Sequence, residues 1–253
     1  EKIVDNTISY LEYPHLAGEY TNAILWGGLG DTNQHIEAAE SVANIITNRA
    51  EGSVISKPHH ALFQKTGSND TSDEQQKRLS ELFASRPYYI NYNGHGSHEQ
   101  IDYYDIRINN TGNFFFGSMP VMMLSSCTTT AFDTSRQSFS LNFLSMPSGP
   151  IAVIGACRSV YMTYNGNLAN EFSSRLYTAS AGDCLGDVFK RALTTVNGRT
   201  EQQCINNLCY NLVGDPAIPV PTHTGRVEIQ TVDGSPLSGP LSLTPLHPTV
   251  VSG

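Results

Sequence analysis

Residues 88–96 read Tyr-Tyr-Ile-Asn-Tyr-Asn-Gly-His-Gly, a short β-rich run that closes on small residues around one histidine. Two later stretches repeat the pattern: Val121–Ser125 runs into Ser126–Cys127, and Ile151–Ile154 runs into Gly155–Ala156–Cys157. Short, largely apolar runs bounded by turn-forming residues fit strands of a parallel sheet that are buried on both faces. In such open sheets the ligand site lies outside the carboxyl ends of the strands. Three strands are therefore aimed at one edge, and the first two bring a histidine and a cysteine there.

Upstream, Ala23–Trp26 is a further strand candidate ending in Gly27–Gly28. It is followed by a helix over 33–49, with Ile36, Ala39, Val42, Ala43 and Ile46 spaced along one face. Ser72, with Gln75 three residues on and acids between them, reads as a capping box opening a helix that carries Leu79, Leu82 and Phe83 and ends before Pro87. Further helices are expected over 139–144, 168–179 and 185–195. Strands alternating with helices predict an α/β fold with a mostly parallel sheet flanked by helices. From Pro219 the character changes: an alternating run Arg226–Val232, an Asp233–Gly234 turn and Leu241–Leu243 read as a β-hairpin. The expected division is an α/β domain over 1–220 and the start of a β module over 221–253.

The composition is that of a folded protein, with 39% hydrophobic residues in 253. Fifteen basic against 23 acidic residues give a net charge of −8 with no basic cluster, so nucleic acid is not an expected partner. The apolar runs fall far short of the roughly 18 residues that a membrane helix needs, so no membrane span is expected. The first residues lack the basic and apolar regions of an export signal, which leaves the compartment to other arguments. Five cysteines at no metal-ligand spacing leave at least one thiol unpaired within the chain, and no metal site is expected from them.

A cysteine nucleophile needs a thiolate, an imidazole to manage protons and donors for the oxyanion that develops on the substrate carbonyl. Cys127 and His95 supply the first two. Gly96, with no side chain, leaves its N–H accessible as one oxyanion donor, and the Cys127 N–H is a natural second. Taken singly, a cysteine after a buried strand is more often a packed hydrophobe. Cys157, preceded by Gly155–Ala156 and followed by Arg158, is the rival nucleophile, whereas Cys184, Cys204 and Cys209 read as packed thiols or, in an oxidising compartment, disulfide partners.

Tyr-Asn-Gly-His-Gly-Ser at 92–97, the strand ending in Cys127, the strand Gly149–Ile154 and Val213-Gly-Asp-Pro216 together resemble, in order and spacing, the gingipain family of caspase-like cysteine peptidases. The resemblance runs from about Val4 to Val220 and takes in Val4–Ile8, which is similar to the connector before that family's catalytic subdomain. It implies a caspase-like sheet, His95 as catalytic histidine, Cys127 as nucleophile, and the Gly96 and Cys127 amides as oxyanion hole. It also implies an N-terminal subdomain preceding this one, which makes the chain read as a fragment, and an immunoglobulin-like module beginning in 221–253. An extracellular or cell-surface location follows from the same resemblance. Asp31 is the acid nearest the place of a histidine-orienting carboxylate, so a Cys–His dyad is the plain expectation. The arginine-specific members pair the substrate cation with an acid at the start of the first long helix; here His35 or its neighbours stand there, and arginine specificity is not expected.

The loop Ser159–Tyr164 matches the wall of the primary specificity pocket, with Tyr161 and Met162 as substrate-binding candidates; packing under the next helix is the alternative. No organic cofactor is expected. Asp102–Asp105 could hold structural Ca²⁺, and solvated acids explain that stretch equally well. The implied function is a cysteine endopeptidase acting on protein or peptide substrates. A sortase-like transpeptidase that processes C-terminal secretion signals, and a non-catalytic binding module on the same fold, are the alternatives.

Overall fold

Three strands, β3 (Pro87–Asn93), β6 (Val121–Ser125) and β7 (Ala152–Ala156), are buried along their whole lengths, as strands covered by helices on both faces must be. In this computed structural model, which describes residues 1–28, 33–50, 59–63, 72–101, 106–108, 112, 114–133, 137–197, 200–221, 231–232, 235–236 and 251–252, they form the middle of a six-stranded sheet. The remaining strands are β1 (Glu19–Gly27), β2 (His59–Phe63) and β8 (Tyr210–Gly214), and the order is β2-β1-β3-β6-β7-β8. All neighbours are parallel except β8, which runs antiparallel to β7 at the edge. A short antiparallel pair, β4 (Gln100–Ile101) with β5 (Ile106–Arg107), lies outside that sheet.

Period-two alternation divides the sheet between two cores. Ala23, Leu25, Tyr89, Met123 and Ile154 belong to a core with Val42 and Ile46 of α2 (Gln34–Ala50), Phe172 of α5 (Met162–Leu176) and Val188 of α6 (Leu185–Asn197). Ile24, Trp26, Ile90, Tyr92, Met122, Leu124 and Val153 belong to the other, with Leu79 and Phe83 of α3 (Ser72–Ala84) and Phe139 and Phe143 of α4 (Phe139–Leu144). Burying one such side chain is worth about 1.5–3 kcal/mol, so a one-residue slip of any central strand would misplace several of them at once. Polar atoms inside β3 are paired: Asn93 Nδ2 donates to Asn91 Oδ1 at 2.6 Å, and the Tyr89 hydroxyl meets Ser173 Oγ at 2.9 Å.

From β1 the chain moves to β2 on one side and then returns to β3 on the other. The crevice between the carboxyl ends of β1 and β3 is thus the point at which the strand order reverses, where ligands bind in open α/β sheets. The loops after β1 and β3 begin there, and the loop after β6 begins beside them at the same edge of the sheet.

Several elements differ from the sequence reading. The helix expected over 168–179 begins at Met162, because the polar residues that interrupt its apolar period are an interface: Asn206 Nδ2 donates to Asn165 Oδ1 at 3.1 Å and Asn167 Nδ2 to Gln203 Oε1 at 3.1 Å. Their partners sit on α7 (Glu201–Leu208), a helix with no apolar periodicity, because its buried residues are the amides Gln203, Asn206 and Asn207. Residues 2–12, which include the expected connector, form α1 (Lys2–Glu12), pinned by Asn6 Nδ2 donating to Met146 O at 2.9 Å. Among the described residues no helix is long and apolar enough to cross a membrane.

The chain divides into two compact units, Glu1–Pro221 and Thr222–Gly253. In the second, β9 (Thr231–Val232) pairs antiparallel with β10 (Ser235–Pro236), Val232 opposite Ser235, and also with β11 (Val251–Ser252). The return strand therefore starts at Ser235, and Leu241–Leu243 lies outside the described residues.

Candidate active site

The last registered pair between β3 and β6 is Asn93 with Ser125. His95 and Cys127 each stand two residues beyond it, on neighbouring strands that run the same way. The ladder continues one step, with Gly94 N donating to Ser125 O at 3.3 Å, before the two loops separate. They stay in contact: a Cβ on Gly96 would lie 2.8 Å from Ser126 Oγ, 2.9 Å from Ser126 Cβ and 2.9 Å from Thr129 Cγ2. The residue after His95 is therefore packed on the residue before Cys127. Gly96 also bridges to Ile101, and a hydrogen bond of that bridge is donated by Ser97 N–H to Gln100 O at 2.8 Å.

Cys127 is half-buried. Its Sγ accepts from Val160 N at 3.4 Å and lies 3.5 Å from Val160 O, so the segment after β7 cradles the sulfur. Thr128, next in the chain, has φ of 50°, a left-handed conformation that costs a β-branched residue on the order of 1–3 kcal/mol and persists only where the surroundings impose it. Here they do. Thr128 N donates to Arg158 O at 3.2 Å and Thr130 N to Ala156 O at 3.0 Å, while Thr129 O accepts from both Ser140 N and Ser140 Oγ.

His95 is exposed at the crevice. Its carbonyl accepts from Tyr92 Oη at 2.6 Å. The Tyr92 ring is fully buried, packs edge-on to Trp26 at 4.6 Å between centroids, and occupies the space beside Gly28 and Gly94 that a Cβ at either would need. The His95 ring meets the ring of His35, in the first turn of α2, at 5.0 Å between centroids and 82° between planes. Both contacts escaped the sequence reading. Tyr92 carried a signal, Gly94 two residues on in the same histidine motif, whereas nothing in the spacing ties His35 to His95.

Tyr161 is 70% exposed, with its N–H held by Asn206 Oδ1 at 2.7 Å, and Met162 is half-buried as the first residue of α5. They border the Val160 segment that touches the Cys127 sulfur. Cys157 follows β7, the strand beside the one that leads to Cys127, and its N–H donates to Cys209 O at 2.8 Å. Arg158, next in the chain, forks onto Asp133 at 2.8 and 3.2 Å and holds that carboxyl below its ordinary range. Burial, with Cys157 nearby, pushes the Cys209 thiol up, and burial, with Cys127 nearby, pushes the Tyr210 phenol up. All five cysteines are free thiols. Asp31 and Asp102–Asp105 lie outside the described residues.

A mostly parallel sheet with helices on both faces, opening at its carboxyl edge onto a histidine loop and a cysteine loop, defines the class: a domain of caspase-like architecture. The chain belongs to peptidase family C25, whose model matches residues 1–221. Among solved structures it is similar to gingipain R (RgpB), described as an Arg-specific cysteine proteinase, with a TM-score of 0.68 and 17% identity over 87% of this chain and 52% of that one. The complex of the Porphyromonas gingivalis RgpB pro- and mature domains matches with a TM-score of 0.63 and 15% identity, over 87% and 53%. A chain of the Saccharomyces cerevisiae separase–securin complex matches at 0.53 and 12%, over 86% and 13%. At these identities the likeness is one of fold. The chain spans about half the length of the gingipain chains it matches. No curated protein matches it.

Proposed function

We propose that this chain carries the peptide-bond-cleaving site of a cysteine endopeptidase, with Cys127 as nucleophile and His95 as its acid–base partner. The observation that carries the reading is the equal two-residue offset of both side chains beyond Asn93–Ser125, with Gly96 packed on Ser126. The Cys127 thiolate attacks the scissile carbonyl carbon, forming the C–S bond. His95 gives a proton to the amide nitrogen as the C–N bond breaks and the amine leaves. It then takes a proton from water, whose oxygen attacks the thioester; the C–S bond breaks and the acid product departs.

The backbone N–H groups of Gly96 and Cys127 serve the oxyanion, a role worth about 10²–10³ in rate per donor. The Ser97-donated bond of the Gly96–Ile101 bridge supports this role, since it leaves that task to Gly96's neighbour. The Val160 N–H aimed at the sulfur supplies a donor to a sulfur anion. Tyr161 and Met162 border the place of the residue cleaved, which favours an apolar or aromatic side chain there over arginine. The chemistry requires no organic cofactor. Family membership supports export to the cell surface or medium.

Incubation with a peptide library, and sequencing of the ends produced, tests the reading. Cleavage by the native chain and none by Cys127→Ala or His95→Ala is the expected result; equal cleavage by the variants overturns it. An amine acceptor captured on the new carboxyl ends would identify transpeptidation in place of hydrolysis.

A further inference from the structure

We infer that His35 is a positioning residue for His95: its buried ring, packed edge-to-face on the His95 imidazole, holds that imidazole in the orientation that serves Cys127. The inference rests on the assignment of His95 and Cys127 above. His95 stands exposed between Gly94 and Gly96, so neither chain neighbour has a side chain to restrain it. Tyr92 Oη fixes its carbonyl. Against the ring itself lies that of His35, at 5.0 Å and 82°, the geometry that aromatic rings prefer.

His35 is suited to act as a fixed wall. It is only 7% exposed, and it lies in the first turn of α2, where the helix seats on the end of β1. The seat is close: a Cβ on Gly27 would come 2.8 Å from Ile36 Cα and 3.1 Å from His35 O. Gly27 in turn registers with Asn93, two residues before His95. The wall, on the helix seated against the end of β1, and the ring it steadies, two residues beyond β3, thus stand at the ends of adjacent strands, at the point where the strand order reverses. A histidine in this place offers a ring face or edge, where a carboxylate would offer only an acceptor.

The test is the rate at which iodoacetamide alkylates Cys127 near neutral pH, read by peptide mass spectrometry, for the native chain and for His95→Ala, His35→Leu, His35→Met and His35→Phe. Leu and Met fill the buried volume without a ring, so at least one is expected to keep the native melting temperature; Phe restores the ring. Loss of orientation is expected to slow Cys127 labelling in the Leu and Met variants on the order of tenfold or more, toward the His95→Ala rate, with Phe recovering most of it. In hydrolysis the same variants are expected to lose kcat with little change in KM. Native-rate labelling in a folded Leu or Met variant, or no recovery with Phe, overturns the inference. If His95→Ala itself labels at the native rate, the assignment of His95 fails instead.

Discussion

Gly96→Ala tests how tightly the two candidate catalytic loops are locked together. Gly96 does not have a positive φ, so alanine meets no backbone penalty there and the whole effect is packing. The new Cβ would sit 2.8–2.9 Å from Ser126 Oγ, Ser126 Cβ and Thr129 Cγ2. Carbon atoms pack best at about 3.5–4.0 Å, so the two carbon contacts, at 2.9 Å, are short by roughly 0.6–1.1 Å. Neither neighbour yields easily: Ser126 is 1% and Thr129 0% exposed, and Thr129 O is held by two bonds from Ser140. If the loops stay in place, the overlap costs about 1–3 kcal/mol, a fall of roughly 2–4 °C in Tm per kcal/mol for a domain of this size. If the His95 loop slides away instead, a displacement near 1 Å costs about 10²-fold in rate. Thermal unfolding and the Cys127 alkylation rate, measured together, separate the two routes. Ser126→Gly removes two of the three close atoms, so the double variant is expected to recover much of the loss. A Gly96→Ala chain with native Tm and native Cys127 reactivity, or a double variant no better than the single one, would refute the contact between the loops.

Tyr92→Phe removes the donor to the His95 carbonyl and is expected to cost about 1 kcal/mol in urea unfolding and to lower kcat; unchanged values in both would mean the bond does nothing. Asn206→Ala deletes the acceptor for Tyr161 N–H and the donor to Asn165, two bonds worth about 1 kcal/mol each, so it should destabilise the chain and broaden the cleavage profile next to Tyr161. A profile as narrow as the native one would separate Tyr161 from substrate choice. Because burial raises the Cys209 thiol, less of it is thiolate at neutral pH, and alkylation there should be slower than for a free cysteine and rise as pH increases. Peptide mapping across a pH series checks this, and labelling at the free-cysteine rate at neutral pH contradicts it.

The sheet and its reactive edge were readable in the sequence because central parallel strands are buried on both faces and so appear as unbroken runs. Val121–Ser125 matches the observed strand, and the β-rich run read from 88 opens on the observed strand Pro87–Asn93. The apolar face of α2 and the family resemblance were readable for the same kind of reason, since both depend on short-range spacing. The amide face of α7 was not, because Gln203, Asn206 and Asn207 look like surface residues until Asn165, Asn167 and Tyr161 are brought opposite them. The same holds at the site. That a histidine and a cysteine end successive strands is written in the chain; that those strands are neighbours in register, that Gly96 fills the gap beside Ser126, and that a ring sixty positions earlier rests on His95 were decided by tertiary structure. Periodicity reports which face of an element is buried, whereas pairing between distant elements depends on shape and hydrogen-bond complementarity that no local spacing encodes.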